Sequence, residues 1–133
     1  MLVYCDSVVL IYFLDQPGTF NARATNRLAA LRAAGDTIAV SDLSHMECRI
    51  GPLKRRDAAV LAVFDQFFVL PDVKVVPLNT AVFDRATVIR AAFGFTTPDA
   101  IHLAAAVEAR CHRFLTNDTR LSRFPAIPVE ILP

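Results

Sequence analysis

The chain has 133 residues, 54% of them hydrophobic and 20% charged, with 14 Lys and Arg against 13 Asp and Glu and a formal net charge of +1. That length suits one domain, and the high apolar share argues for a large core plus a surface reserved for a partner or a second copy of the chain. No apolar run reaches bilayer-spanning length, and Met1-Leu2-Val3-Tyr4-Cys5-Asp6 has no basic leader region, so a cytoplasmic protein is expected with no membrane partner.

In chain order, Leu2 to Cys5 is an apolar run that ends at Asp6 and predicts a buried strand. Ser7 to Leu14 follows as a short apolar helix, stopped by Asp15-Gln16-Pro17-Gly18. Ala24, Leu28 and Leu31 fall at helical spacing in a segment from Asn21 to Ala34, which Gly35 ends. Thr37 to Val40 is a second strand. Ser41 or Asp42 can cap the next helix, which carries His45, Met46 and Glu47 and is expected to break at Gly51-Pro52.

Leu53-Lys54-Arg55-Arg56 is the densest basic run and reads as a link to an amphipathic helix from Asp57 to Leu70. Val73 to Leu78 is a third strand, and Asn79 starts a helix that ends at Gly94. The helix that follows has Thr97 as its expected cap and Pro98 at its first position, and runs to about Arg110. Arg113 to Thr116 and Val129 to Leu132 complete the strands. Apolar strands alternating with helices predict a three-layer α/β/α sandwich over residues 1–133, with a central, mainly parallel sheet of about five strands.

Cys5, Cys48 and Cys111 are odd in number and form no C-x-x-C pair, which predicts free thiols. His45 and Cys48 stand three apart with Cys5 as a distant third, an incomplete zinc set.

Four acids fall near one rim of this layout. Asp6 follows the first strand, Glu47 lies in the helix after the second, Asp99 opens the long helix before the fourth, and Asp118 follows the fourth. Open α/β sheets bind ligands at the carboxyl ends of their strands. Each acid has an ordinary capping or surface role available, but four like charges in one place repel unless a cation compensates them. Oxygen ligands favour Mg²⁺ or Mn²⁺, as one or two ions. Setting these four acids aside leaves 9 of the 13 against 14 basic residues, a balance that suits a polyanionic partner.

Asp6-Ser7 after an apolar strand, Glu47, Pro98-Asp99-Ala100-Ile101-His102-Leu103-Ala104 and Thr116-Asn117-Asp118-Thr119-Arg120-Leu121 together resemble the PIN-domain ribonucleases. More narrowly, they resemble the VapC toxins of type II toxin–antitoxin modules. The resemblance implies a PIN fold and a Mg²⁺- or Mn²⁺-dependent endoribonuclease that cuts structured RNA, tRNA or rRNA. It also implies silencing by a cognate antitoxin and assembly as a homodimer. Asp6, Glu47, Asp99 and Asp118 become the candidate catalytic and metal-binding residues, with Asp6 and Asp99 foremost and Ser7, Thr116 and Asn117 beside them. Hydrolysis of this kind leaves a 5′-phosphate and a 3′-hydroxyl without using the ribose 2′-hydroxyl.

His102, one turn from Asp99, is a candidate general base but fits a packed side chain better. Arg49, Lys54, Arg55, Arg56, Arg120 and Arg123 are candidate phosphate contacts. The chain shows no cluster of exposed aromatic residues for base stacking, and Phe13, Phe20, Phe67 and Phe68 are candidate interface residues. A non-catalytic RNA- or protein-binding module on the same scaffold is the main alternative. A phosphate-receiving regulatory domain fits less well, because neither Lys54 nor Lys74 follows a strand of the required kind. A phosphatase of the haloacid dehalogenase type lacks its second acid, since Asp6 is followed by Ser7-Val8.

Overall fold

The computed structural model describes residues 1–133. Five strands, β1 (Leu2–Cys5), β2 (Thr37–Ser41), β3 (Val73–Val76), β4 (Arg113–Thr116) and β5 (Val129–Ile131), form one sheet in the order β3-β2-β1-β4-β5. Every adjacent pair is parallel. Successive strand residues point to opposite faces, so Val3 and Cys5 enter one core while Tyr4 enters the other. Ile38 and Val40 likewise lie opposite Ala39.

Helices cover both faces, which is why the central strands are apolar throughout. On one side lie α1 (Ser7–Leu14), α2 (Thr19–Ala33), α3 (Asp42–Arg55) and α4 (Ala58–Phe67), contributing Leu10, Leu28, Cys48 and Phe64. On the other lie α5 (Thr80–Phe93) and α6 (Thr97–Glu108). Ala100, Leu103, Ala104, Ala105 and Ala106 of α6 are buried, and their small side chains let the helix lie close to the sheet. The expected three-layer sandwich is therefore present, with a wholly parallel sheet.

Several expected boundaries shift by one to three residues, among them the ends of β3 at Val76 and α4 at Phe67, and two further expectations, at α3 and α6, are wrong. Helix α3 does not break at Gly51-Pro52 but continues to Arg55. Cys48 and Pro52, four apart, are both buried on its core face, and that packing outweighs the hydrogen bond that proline cannot donate. The true stop is Arg56, in the left-handed region at φ 56°, where its N–H bonds the Leu53 carbonyl and that of Asp57 bonds Pro52. The basic run is thus the last turn of α3 and its cap, not a linker. At α6 the cap is Thr96 rather than Thr97: its Oγ1 accepts from the Asp99 N–H, 3.4 Å away.

The three cysteines are free, and burial pushes the Cys5 and Cys48 thiols up to about 12. His45 turns to Asp65 instead, and no zinc set forms. Phe67 and Phe68 are buried in the core. Phe20 is exposed and stacks on Tyr12 with ring centroids 4.7 Å apart.

From β1 the chain moves outward through β2 to β3, then returns to the far side of β1 as β4 and β5. Strand order therefore reverses between β1 and β4, and the crevice at their carboxyl ends is where this fold opens for a ligand. No helix is long and apolar enough to cross a membrane.

Candidate active site

At that crevice lies an open cleft of about 770 Å³, and Asp6, Glu47, Asp99 and Asp118 all line it, with Ser7 and Asn117. Four separate elements deliver the acids. Asp6 leaves β1 and caps α1, its Oδ1 accepting the Ser7 N–H at 2.8 Å. Glu47 projects from the second turn of α3, and Asp99 stands in the first turn of α6. Asp118 caps the 3₁₀ turn Thr119–Arg123 that follows β4. Thr116, fully buried at the end of β4, donates its hydroxyl to Asp6 Oδ2 at 2.7 Å.

The carboxylates differ in their surroundings. Asp6 is buried, and the loss of water pushes its carboxyl up from the usual range. His102 and Thr116 oppose that shift, while the charges of Asp99 and Glu47 add to it. Burial also disfavours the charge on Glu47. There, however, the bond to His102, with Ser7, outweighs it and holds the carboxyl below its usual value. Asp118 is held low chiefly by Arg120, whose guanidinium grips both its oxygens. Asp99 makes no side-chain hydrogen bond or ion pair.

Beneath the acids runs a buried chain of polar groups. Glu47 Oε1 accepts from Ser7 Oγ at 2.7 Å and meets His102 Nε2 at 2.5 Å. A carboxylate only accepts, so Nε2 carries a proton. On the other side of the ring, Nδ1 lies 2.7 Å from the Tyr4 hydroxyl, which also bonds Ser41. His102 is 1% exposed and does not line the cleft. It is a packed histidine that reaches the site through Glu47 and Ser7.

The donor set is entirely oxygen, which fits a hard divalent cation that keeps several waters and takes one or two carboxylates. No three Asp, Glu, His or Cys side chains converge on a single point. Glu47 and Asp118 are already held by His102 and Arg120, whereas Asp6 accepts only from the neutral Ser7 N–H and Thr116 hydroxyl and Asp99 from nothing, so these two are the carboxylates most available to a cation.

The PIN domain profile matches residues 3–127, nearly the whole chain. The chain belongs to the PIN domain family. No curated protein is significantly similar to it in sequence. Among solved structures, it resembles a VapBC complex from Rickettsia felis bound to a promoter DNA fragment, at 17% identity over 100% of both chains and a TM-score of 0.81. It also resembles DNA-bound VapBC from Salmonella typhimurium, at 20% identity over 100% of both chains and a TM-score of 0.77. A third likeness is to a sarcin–ricin loop-cleaving VapC toxin of Mycobacterium tuberculosis, at 11% identity, covering 84% of this chain and 86% of that one, with a TM-score of 0.70. At these identities the likenesses establish the PIN fold, from which the cleft follows.

Sequence reasoning about this PIN domain missed several groups. Val8, Ile11 and Tyr12 line the cleft from one face of α1, and their i, i+3, i+4 spacing was a readable signal. Of the six basic candidates only Arg120 lines it. Arg55 pairs with Asp15 at 2.6 Å, Arg123 bonds the Phe93 carbonyl, and Arg49 bonds that of His45.

Asp6 yields a pH prediction. Its folded-state pKa lies above the unfolded value, so ionising it opposes folding. That penalty is full above the raised pKa and vanishes as pH falls to the ordinary carboxylate range. In EDTA at pH 7.5, Asp6→Asn should melt roughly 3–6 °C above the parent, with the gap closing towards pH 4. The opposite shifts at Glu47 and Asp118 are present in both proteins, so the change in the Asp6 charge dominates the difference between them. A gap independent of pH in paired calorimetric melts would contradict the assignment.

Proposed function

We propose that this PIN domain is a divalent-metal-dependent endoribonuclease of the VapC toxin type, acting on structured RNA and neutralised by a cognate antitoxin. One observation carries the reading: four carboxylates from four elements line one cleft at the sheet's switch point, one desolvated and one without any protein partner. A surface cap needs no such gathering. The likeness to VapBC and toxin–antitoxin complexes and to a toxin that cleaves the sarcin–ricin loop supports RNA as substrate and an antitoxin as partner. A homodimer is part of the same reading.

Asp6 and Asp99 would hold Mg²⁺ or Mn²⁺, one ion or two, with Glu47 and Asp118 contributing through water or after releasing their present partners. When bound, the ion supplies the positive charge that lets water lose a proton near neutral pH and that offsets charge gathering on the phosphate. Thr116 and the Ser7 N–H fix the plane of the Asp6 carboxylate, and His102 with Ser7 fixes that of Glu47. Asn117 donates to the Tyr12 hydroxyl at 3.4 Å, tying the loop after β4 to α1 at the cleft's edge.

The test is incubation of the purified protein with tRNA and with rRNA fragments in Mg²⁺, Mn²⁺ or EDTA, followed by end analysis. Cleavage that needs the metal and leaves 5′-phosphate and 3′-hydroxyl ends is expected. Cleavage in EDTA, or 2′,3′-cyclic phosphate ends, would overturn the mechanism. A non-catalytic binding module is the second reading, favoured by Glu47 and Asp118 already having protein partners. RNA bound but left intact in every metal would select it.

A further inference from the structure

Four carboxylates line the cleft, and among the groups lining it Arg120 is the one cation. Its guanidinium is forked onto Asp118: Nε lies 3.0 Å and 3.2 Å from the two oxygens, and Nη2 lies 2.5 Å from Oδ2. The Arg120 N–H adds a fourth bond to Oδ1 at 3.0 Å. Asp99 also attracts Arg120 across the cleft. The arginine therefore stands among the acids where a metal's positive charge is wanted.

Asp118 cannot give both oxygens to a guanidinium and to a divalent ion at once. Its pair with Arg120 is easily exchanged, because the arginine side chain is 68% exposed and solvent screens the attraction. The same fork matches a phosphate as well as a carboxylate. An RNA strand entering the cleft meets no other fixed cation along its lining.

We propose that Arg120 is an exchangeable counter-ion: it holds Asp118 until a divalent cation arrives, then turns to grip an RNA phosphate beside the cut. The inference rests on the nuclease reading and adds to it a residue that works with two different anions in turn. A local surface ion pair with no further role would touch neither metal nor RNA.

The two halves of the proposal predict effects of opposite sign. Mn²⁺ binding is measured by isothermal titration calorimetry on the full chain without RNA. There Arg120→Ala should bind about three- to fivefold more tightly, because a competing cation is gone. With a fluorescein-labelled RNA hairpin at saturating Mn²⁺, the same variant should raise KM about tenfold with kcat nearly unchanged. It should also lower the slope of log KM against log salt by roughly one. Arg120→Lys keeps the charge without the fork and should restore most of the Mn²⁺ competition but less of the KM. Circular dichroism melts confirm that each variant is folded.

No change in either measurement, or a change of both in the same direction, overturns the proposal. If the parent binds Mn²⁺ and cuts RNA while Arg120→Ala matches it, the inference fails and the nuclease reading stands. If the parent neither binds Mn²⁺ nor cuts RNA, both fall together.

Discussion

Asp6→Asn and Asp99→Asn, made singly, should each lower single-turnover RNA cleavage at saturating Mn²⁺ by about 10³-fold or more. Asparagine keeps the shape of each side chain and removes its charge. At Asp6 it can still accept from the Ser7 N–H and meet the Thr116 hydroxyl, so the fold is preserved and the loss reports on charge alone. Asp99 has no protein partner to lose, which makes its substitution the cleaner of the two. Glu47→Gln and Asp118→Asn should cost less, about 10- to 100-fold, because their carboxylates are shared with His102 and Arg120. The ranking is the test. Larger losses at Glu47 and Asp118 than at Asp6 and Asp99 would mean that the carboxylates paired with His102 and Arg120 take the cation.

The second large effect belongs to His102. His102→Ala removes a side chain that is 1% exposed and takes one hydrogen-bond partner from each of the Tyr4 hydroxyl and Glu47, which keep only Ser41 and Ser7. A cavity and two lost buried hydrogen bonds together should cost about 3–4 kcal/mol of stability. Glu47 would also lose the bond that holds its carboxyl low, and with it a fixed orientation in the cleft. His102→Gln separates these effects: its amide can still donate to Glu47 while Tyr4 loses its ring nitrogen. This variant should remain destabilised in urea melts yet recover most of the cleavage rate that His102→Ala loses. Equal loss of activity in the two folded variants would show that Glu47 needs the imidazole itself, not merely a donor.

The strands were legible because parallel strands covered on both faces are apolar nearly throughout, as Leu2 to Cys5 and Ile38 to Val40 are. Helix α3 was misread because proline and glycine are local signals, while its continuation depends on Cys48 and Pro52 packing against a distant core. The acid positions were legible for a related reason. Asp6 and Asp118 follow strands, Asp99 opens a helix and Glu47 lies in the second turn of the helix after β2, places that chain order identifies.

The amino-acid sequence by itself determined the layered α/β architecture and the short set of acids that could share one rim, since both follow from periodicity and element order. Only the tertiary structure decided how those acids differ. Burial pushes Asp6 up, His102 and Arg120 claim Glu47 and Asp118, and Asp99 is left without a partner. Each of these facts except the Arg120 pair joins groups tens of residues apart in the chain. Solvent exclusion and hydrogen bonding act through space, so no local pattern of residues carries them.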